Sequence, residues 1–599
     1  MKAGTGSLVL VLPPASSGCH TAERQPVQLQ LHEANVQIWK VKQGDNSAGD
    51  VGNEDVNSGN SIGKHGIKLE PFASVAWEDV VGCHRLRGKK LEDSASYFAI
   101  YAYPLKKRAK SGRKRQRRVY TLQVGDSGTE EKRAENAKLA EDWVQVIRKR
   151  IYVKPPLRRE AADAKKGGDY RRLYVLVNPC GGVGKALEIF QNQVVPVLYD
   201  ANTLCKLVIT ERANHARELV RGMELGIWDG IVVVGGDGLV FEVLNGLMMR
   251  EDRELALRLP LGVIPAGSGN ALVTAICDQA GEFHLDDFAM RSAVIIARPR
   301  YFPLRLTHVE TDSGSHMASF MSIAWGIIAD IDIESERYRK TLGGSRFTFQ
   351  AVMCVAKMRK YRARLSYLKH EGPIHSAASN NNLHHPSEET TGHGFQNTSF
   401  QNSETDEGKL GEGPSREGSR ESIAEDSSEL VSAERPLAKK PFVQSAFGLT
   451  VADACEGPSS GEMVSAWRAG HVTEMPSLDE GVPSDWTVVE EDFVHVLAAH
   501  LSHLGQDFVY LPRAKMDDEA LYLTLIRSHV TRTQMTRILM GFADGGHVTN
   551  EYFEIIPVKA FRLEPMGENR GIMTVDGEQV TTSRIQASLT SYNAYVMGR

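Results

Sequence analysis

No apolar run in this 599-residue chain approaches the roughly 20 residues that a membrane-spanning helix needs. The first apolar stretch, Ser7-Leu8-Val9-Leu10-Val11-Leu12, is too short for a signal-peptide core and stops at Pro13-Pro14. Lys2 as the second residue excludes N-myristoylation. The seven cysteines are scattered and never form a Cys-x-x-Cys pair. That excludes a zinc-ribbon type of site and points to a reducing compartment. Charge of one sign is also missing: the net charge of −4 offers no global attraction to nucleic acid, so no such partner is expected. These absences describe a cytoplasmic protein that meets lipid, if at all, by peripheral contact. What remains is an ordinary soluble composition, 41% hydrophobic and 24% charged, in a chain long enough for two or three domains.

One stretch organises the rest. The run Leu173-Tyr174-Val175-Leu176-Val177 breaks at Asn178-Pro179-Cys180-Gly181-Gly182-Val183-Gly184-Lys185. A second run, Ile231 to Val234, breaks at Gly235-Gly236-Asp237-Gly238. A third, Leu261-Gly262-Val263-Ile264, breaks at Pro265-Ala266-Gly267-Ser268-Gly269-Asn270. Short β-branched runs, each followed by glycines and a helix-like pattern, predict an α/β layer with a parallel sheet. Ligands bind beyond the carboxyl ends of such strands, so the three loops are expected at one edge. Glycine there lets backbone N–H groups approach a phosphate, and loops 178–185 and 267–269 are expected to cradle the phosphates of a nucleotide. This is not a Walker A loop, because Ala186 follows Gly184-Lys185 where a hydroxyl would hold Mg²⁺. Lys185 is either a phosphate contact or a surface lysine at a helix start.

The combination resembles the diacylglycerol-kinase-like catalytic domain of lipid kinases and, more narrowly, the sphingosine kinase family. The narrower likeness rests on Thr210-Glu211-Arg212-Ala213-Asn214-His215-Ala216-Arg217-Glu218-Leu219-Val220, on the run Gly238 to Met248, and on Ala324-Trp325-Gly326-Ile327-Ile328-Ala329-Asp330-Ile331-Asp332-Ile333-Glu334-Ser335-Glu336-Arg337-Tyr338-Arg339. It covers roughly 170–370 and 484–580. Two departures are Cys180, where animal members typically carry arginine, and Gly235, where they often have serine.

The resemblance implies ATP with Mg²⁺ as cofactors and a sphingoid base as lipid substrate. It assigns Asp237 the general-base role toward the lipid hydroxyl, with Gly235, Gly236 and Gly238 around the substrate. It places the nucleotide against Asn178, Pro179, Cys180, Gly181, Gly182, Thr210, Asn214, Glu242, Gly267, Ser268 and Gly269. Arg339 and Arg346 match phosphate-facing arginines, and the turn Asp576-Gly577-Glu578 is expected to close over the nucleotide. Asp332 matches the aspartate that recognises the amine-bearing head group, with Ser322 as a hydroxyl partner. No protein ligand for Mg²⁺ stands out. Met535, Ile538, Leu539 and Phe542 form a stripe that either lines the slot for the acyl tail or packs a helix core.

In chain order, 1–65 reads as mostly flexible, with strands at Val27 to Leu31 and around Val36 to Val41 as candidate first strands of the next module. Residues 66–153 loosely resemble a pleckstrin-homology-like module, with strands at Val75 to Val81, Tyr97 to Tyr103 and Val119 to Val124, then a helix from Ala134 to Ile151. The basic run between Lys106 and Arg118 is a solvated loop, a contact for anionic lipid or a nuclear-import signal. A charged linker, 154–168, leads to the catalytic domain, 169–299. A β-rich, sandwich-like domain follows in two pieces, 300–370 and 484–599, separated by a low-complexity insertion, 371–483, read as disordered. Expected partners are the sphingoid base and anionic membranes, and a homodimer is left open. A ceramide kinase, an NAD kinase sharing the Gly-Gly-Asp-Gly loop and a lipid-responsive scaffold without activity are the rival readings.

Overall fold

The computed structural model describes residues 8–12, 23–42, 68–88, 95–107, 113–125, 130–157, 170–282, 287–342, 345–372, 432–433 and 460–599. The N-terminal unit is an antiparallel sheet in the order Val80–Arg87, Ser96–Ala102, Arg118–Val124, Leu8–Leu12, Glu23–Leu31, Asn35–Lys42, Lys68–Ala76. A two-residue strand, Ser432–Ala433, adds to its Val80–Arg87 edge. The helix Glu130–Ile151 packs across it and buries Trp143, Val144 and Ile147, with Trp143 stacked on Phe98 at 6.3 Å.

Two expectations are corrected here. The stretch before residue 65 contributes three strands, and the unforeseen one, Leu8–Leu12, lies inside the sheet, paired on both edges. That pairing holds a run too short to be stable alone. The strand expected from Val75 to Val81 is broken by the turn Trp77–Asp79. Trp77 is buried there and donates its indole N–H to the carbonyl of His32 at 2.9 Å.

The central layer is parallel, in the order Thr203–Ile209, Arg171–Val177, Gly230–Gly235, Leu261–Pro265. The strand Thr203–Ile209 was not foreseen, and it brings Thr210 to the same sheet edge as the glycine loops. Helices Asp237–Met248 and Ala271–Gln279 follow their strands directly. Leu261 then pairs with Val596 of the long strand Ile585–Gly598, which also pairs antiparallel with Arg300–Thr311 and Glu554–Pro565. One sheet therefore runs from the central layer into the β-rich C-terminal region.

The insertion is shorter than 371–483. Helix Ser460–Gly470 and the segment after it pack on the C-terminal sheet. Trp467 and Leu478 are buried, and Arg562 donates to the carbonyls of Ser477 and Glu480 at 2.8 and 2.6 Å. These anchors supply the apolar burial that the low-complexity composition around them lacks. Early in the C-terminal region, two strands, His316–Ser319 and Ser322–Gly326, are separated by a tight loop.

Three cations of the basic run are taken up in ion pairs, while Lys106 and Arg118 are exposed. Strands Leu105–Lys107 and Arg113–Arg115 make a hairpin. Arg115, 1% exposed, donates to Asp79 at 2.8 Å and pairs with Glu282 of the central unit. Arg117 pairs with Asp200 at 2.7 Å and Lys114 with Asp287 at 2.5 Å. These cations clamp the N-terminal unit onto the central one.

Candidate active site

The glycine loops meet because their backbones touch. Gly236 stands so close to Gly267 that a Cβ on it would lie 3.0 Å from the Cα of Gly267. Gly182, at φ +54, would carry a Cβ 2.5 Å from the carbonyl oxygen of Ala266. Only glycine fits at these approaches. Asn178 closes the first loop by accepting the N–H of Cys180 at 3.0 Å, and Cys180 itself is exposed. Asn270, at φ +58, closes the third by accepting the N–H of Gly267 and donating to its carbonyl, both at 3.0 Å. Ser268 and Lys185 are exposed at the rim.

Asp237 opens helix Asp237–Met248 and is half-buried. Its carboxylate accepts the N–H groups of Ala271 at 2.9 Å and Leu272 at 3.1 Å, the first turn of the next helix. Burial outweighs these donors and pushes its pKa above the usual carboxylate range. One turn further along the same helix, Glu242 accepts the N–H of Ala216 at 3.1 Å. Two carboxylates of one helix thus cap two neighbouring helix N-termini, where anions are favoured. Asn214 precedes the second of these at φ +63, and Thr210 is buried beside it, donating to the carbonyl of Val177.

The turn Asp576-Gly577 faces these loops from the C-terminal sheet, between strands Met573–Val575 and Glu578–Val580. The side chain of Glu578 reaches over Gly238, 2.7 Å from where a Cβ would stand. Gly577 packs over Asp332, with 3.6 Å from a Cβ position to its carboxylate. Asp576 points elsewhere: its carboxylate is buried and accepts from Ser319 Oγ and the N–H groups of Phe320, Met321 and Ser322. A direct nucleotide contact by this side chain, expected from the sequence, is not what the geometry offers.

Asp332 lies on helix Ile327–Ser335. Among the described residues, no hydrogen bond reaches its carboxylate. Burial raises its pKa to about 6, with the charges of Glu336, Glu578 and Asp237 adding and Arg346 opposing. Asp330, two residues earlier, is instead held by Tyr361 at 2.6 Å and Arg359 at 3.3 Å. Arg346 is buried and pairs with Glu336. Arg339 begins the short helix Arg339–Leu342. Ser322 is buried beside the Asp576 turn, its carbonyl accepting the N–H of Asp576 at 2.7 Å.

Two charged residues facing this cleft were not singled out from the sequence. Arg217 is partly desolvated near the charges of Glu242 and Glu578, and among the described residues its Nε has no hydrogen-bond partner. Glu336 holds Arg346. Both lie inside the motif segments, so their signal was present but indistinguishable from that of neighbouring surface charges.

Met535, Ile538 and Phe542 are buried in a second apolar cluster, apart from the main core, and Leu539 packs against it. Helices Ile327–Ser335, Arg346–Lys357 and Arg532–Gly541 enclose it against strand Thr487–Ala499.

The diacylglycerol kinase catalytic domain family matches residues 172–294, and the YegS C-terminal NAD kinase beta sandwich-like domain matches residues 477–591. The chain is 36% identical over 571 residues to Homo sapiens sphingosine kinase 2, covering 87% of this chain and 83% of that protein. It is 35% identical over 423 residues to Homo sapiens sphingosine kinase 1, covering 70% and 88%. A shorter match, 38% over 169 residues, reaches 28% of this chain and 35% of sphingoid long chain base kinase 4 of Schizosaccharomyces pombe.

Proposed function

Because this chain belongs to the sphingosine kinase family, we propose that it transfers the γ-phosphate of ATP to the primary hydroxyl of a sphingoid base, sphingosine or sphinganine. The observation that carries this reading is the pair of half-buried carboxylates, Asp237 and Asp332, on either side of the Gly577-Glu578 turn. One stands among glycine loops suited to phosphate; the other is a head-group partner with no hydrogen bond or ion pair of its own among the described residues, Arg346 being paired with Glu336.

In this mechanism the nucleotide lies along Asn178, Pro179, Cys180, Gly181 and Gly182, with Thr210, Asn214 and Glu242 on one side and Gly267, Ser268 and Gly269 on the other. We assign Arg339 and Arg346 of the second domain to the phosphates, with Arg346 exchanging Glu336 for a phosphate oxygen. Asp237 accepts the proton of the lipid hydroxyl as its oxygen attacks the γ-phosphorus and the bond to the β–γ bridging oxygen breaks, releasing ADP. Mg²⁺ neutralises phosphate charge when bound. Among the described residues no group of three metal-ligating side chains stands together, so phosphate oxygens and water would supply most of its coordination.

Asp332 selects the substrate. A buried carboxylate with no partner favours an ammonium beside it, and a sphingoid base brings one. Ceramide offers a neutral amide and diacylglycerol an ester. The tail enters the apolar cluster around Met535, Ile538, Leu539 and Phe542. Over that cluster, Phe349, Val352 and Met353 on helix Arg346–Lys357 and Met540 on helix Arg532–Gly541 are exposed, and we assign this side to the membrane surface. We read the N-terminal sheet as a pleckstrin-homology-like module whose basic hairpin serves to anchor it rather than to bind lipid.

The test is transfer of labelled phosphate from ATP to sphinganine, ceramide and diacylglycerol by the purified full chain. Sphinganine is expected to dominate. Preference for ceramide, or no transfer to any of the three, overturns the reading.

A further inference from the structure

We propose that Asp576 is a positioning residue whose carboxylate sets the spacing between the nucleotide loop at Gly238 and the head-group carboxylate Asp332. This rests on the kinase reading of the site.

Asp576 and Gly577 are the two central residues of a hairpin turn with φ of +52 and +82. The strands on either side have three residues each, too few to hold a turn in place alone. The fixing comes from outside the hairpin. Asp576 Oδ1 accepts from Ser319 Oγ at 2.8 Å and from the N–H groups of Met321 and Ser322, both at 2.9 Å. Oδ2 accepts the N–H of Phe320 at 3.0 Å. The backbone N–H of Asp576 returns to the carbonyl of Ser322 at 2.7 Å. The loop so gripped leads into strand Ser322–Gly326 and then into the helix that carries Asp332. The residues after the grip are Gly577, packed on Asp332, and Glu578, reaching over Gly238. One side chain therefore ties the head-group helix to the turn that closes on the nucleotide loop.

The turn itself does not demand aspartate. A hairpin with two positive φ values accepts Asn-Gly as readily as Asp-Gly. Four converging donors do demand it, because an asparagine brings one acceptor oxygen and sets its NH₂ against N–H donors on the other side. Asp576→Asn thus preserves the turn and breaks the staple at one oxygen, setting an NH₂ against the Phe320 N–H.

The experiment combines kinetics, thermal unfolding and amide exchange on the full chain. For Asp576→Asn we expect kcat to fall at least ten-fold, KM for ATP and for sphinganine to rise together, and the amides of Phe320, Met321 and Ser322 to exchange faster. Ser319→Ala, which removes one of the four donors, is expected to move both KM values in the same direction by roughly three-fold, and it serves alone if the asparagine variant does not fold. A rise in the KM for ATP alone makes Asp576 a nucleotide ligand and overturns the proposal. Lowered thermal stability with both KM values and kcat unchanged overturns it as well. If wild type transfers no phosphate to sphinganine, the kinase reading fails, and protection of the 320–322 amides still reports on the staple. Unchanged exchange in Asp576→Asn would then refute it.

Discussion

Asp237 accepts the N–H of Ala271 at 2.9 Å, so the first amide of the helix after the third glycine loop serves a carboxylate of the protein. This contact holds the proposed base at the meeting point of the glycine loops. It also leaves the amides of Ala271 and Leu272 engaged, so on the proposed reading the phosphates meet the loop amides before that helix. Asp237→Asn is expected to lower kcat by roughly 10²–10⁴-fold, the usual share of general-base catalysis, while the fold and binding of an ATP analogue persist. Steady-state kinetics and analogue titration check this; a near-wild-type rate removes Asp237 from the mechanism.

Asp332 carries its own pH dependence. Its pKa is raised to about 6 by burial, so the charged form that would pair with an ammonium is lost as pH falls through that value. kcat/KM for sphinganine should drop below about pH 6, and KM for ATP should move little. The stability effect has the opposite sign. An acid raised above its unfolded value favours folding at low pH, and that benefit is lost as pH rises through 6. Asp332→Asn should therefore unfold at an equal or higher temperature at pH 7 while losing use of the sphingoid base. A variant with unchanged KM for lipid sinks the head-group assignment.

Arg115 is expected to be structural. Its guanidinium is buried between Asp79 and Glu282, so among the described residues Arg115→Ala leaves both carboxylates with Arg599 as their ion-pair partner. A loss of about 3–5 kcal/mol is expected for such a broken buried pair. Urea unfolding measures it, and vesicle binding should be unchanged. Loss of vesicle binding at unchanged stability would return the basic run to the membrane.

The helix Ser460–Gly470 is held by a chain of rings. His308 lies between His471 at 2.8 Å and His316 at 2.9 Å and stacks on Trp467 at 4.5 Å. Burial holds His308 well below the usual histidine range and His471 down to about 4, with Arg468 pushing both the same way and Glu310 opposing at His316. A lowered histidine contributes stability above its unfolded value, and that stability is lost as pH falls from about 6.5 toward 4. Amide exchange of 464–472 should quicken over that window while the central sheet stays protected. Uniform protection down to pH 4 contradicts it.

Much of this protein is local and so was legible in the residues alone. Glycine placement after β-branched runs marked three strands, their loops and Asp237, because a strand buried on both faces and a turn at positive φ each admit few residue types. The motif segments also located Asp332. The strand Ile585–Gly598 was not singled out, although Ile585-Gln586-Ala587-Ser588-Leu589-Thr590 alternates apolar and polar residues; the fold buries both faces of that stretch. Helix Ser460–Gly470 escaped because one tryptophan and a histidine chain, not periodicity, hold it.

Tertiary structure decided the rest. It engaged the Asp576 carboxylate with Ser319 and the amides of Phe320, Met321 and Ser322, and gave Lys114, Arg115 and Arg117 to acids of the next unit. It also left Asp332 without a hydrogen bond among the described residues, while Asp330 received Tyr361 and Arg359. A residue's type fixes how many donors or charges it can satisfy; which ones it meets depends on chain segments hundreds of positions away, and only folding brings those together.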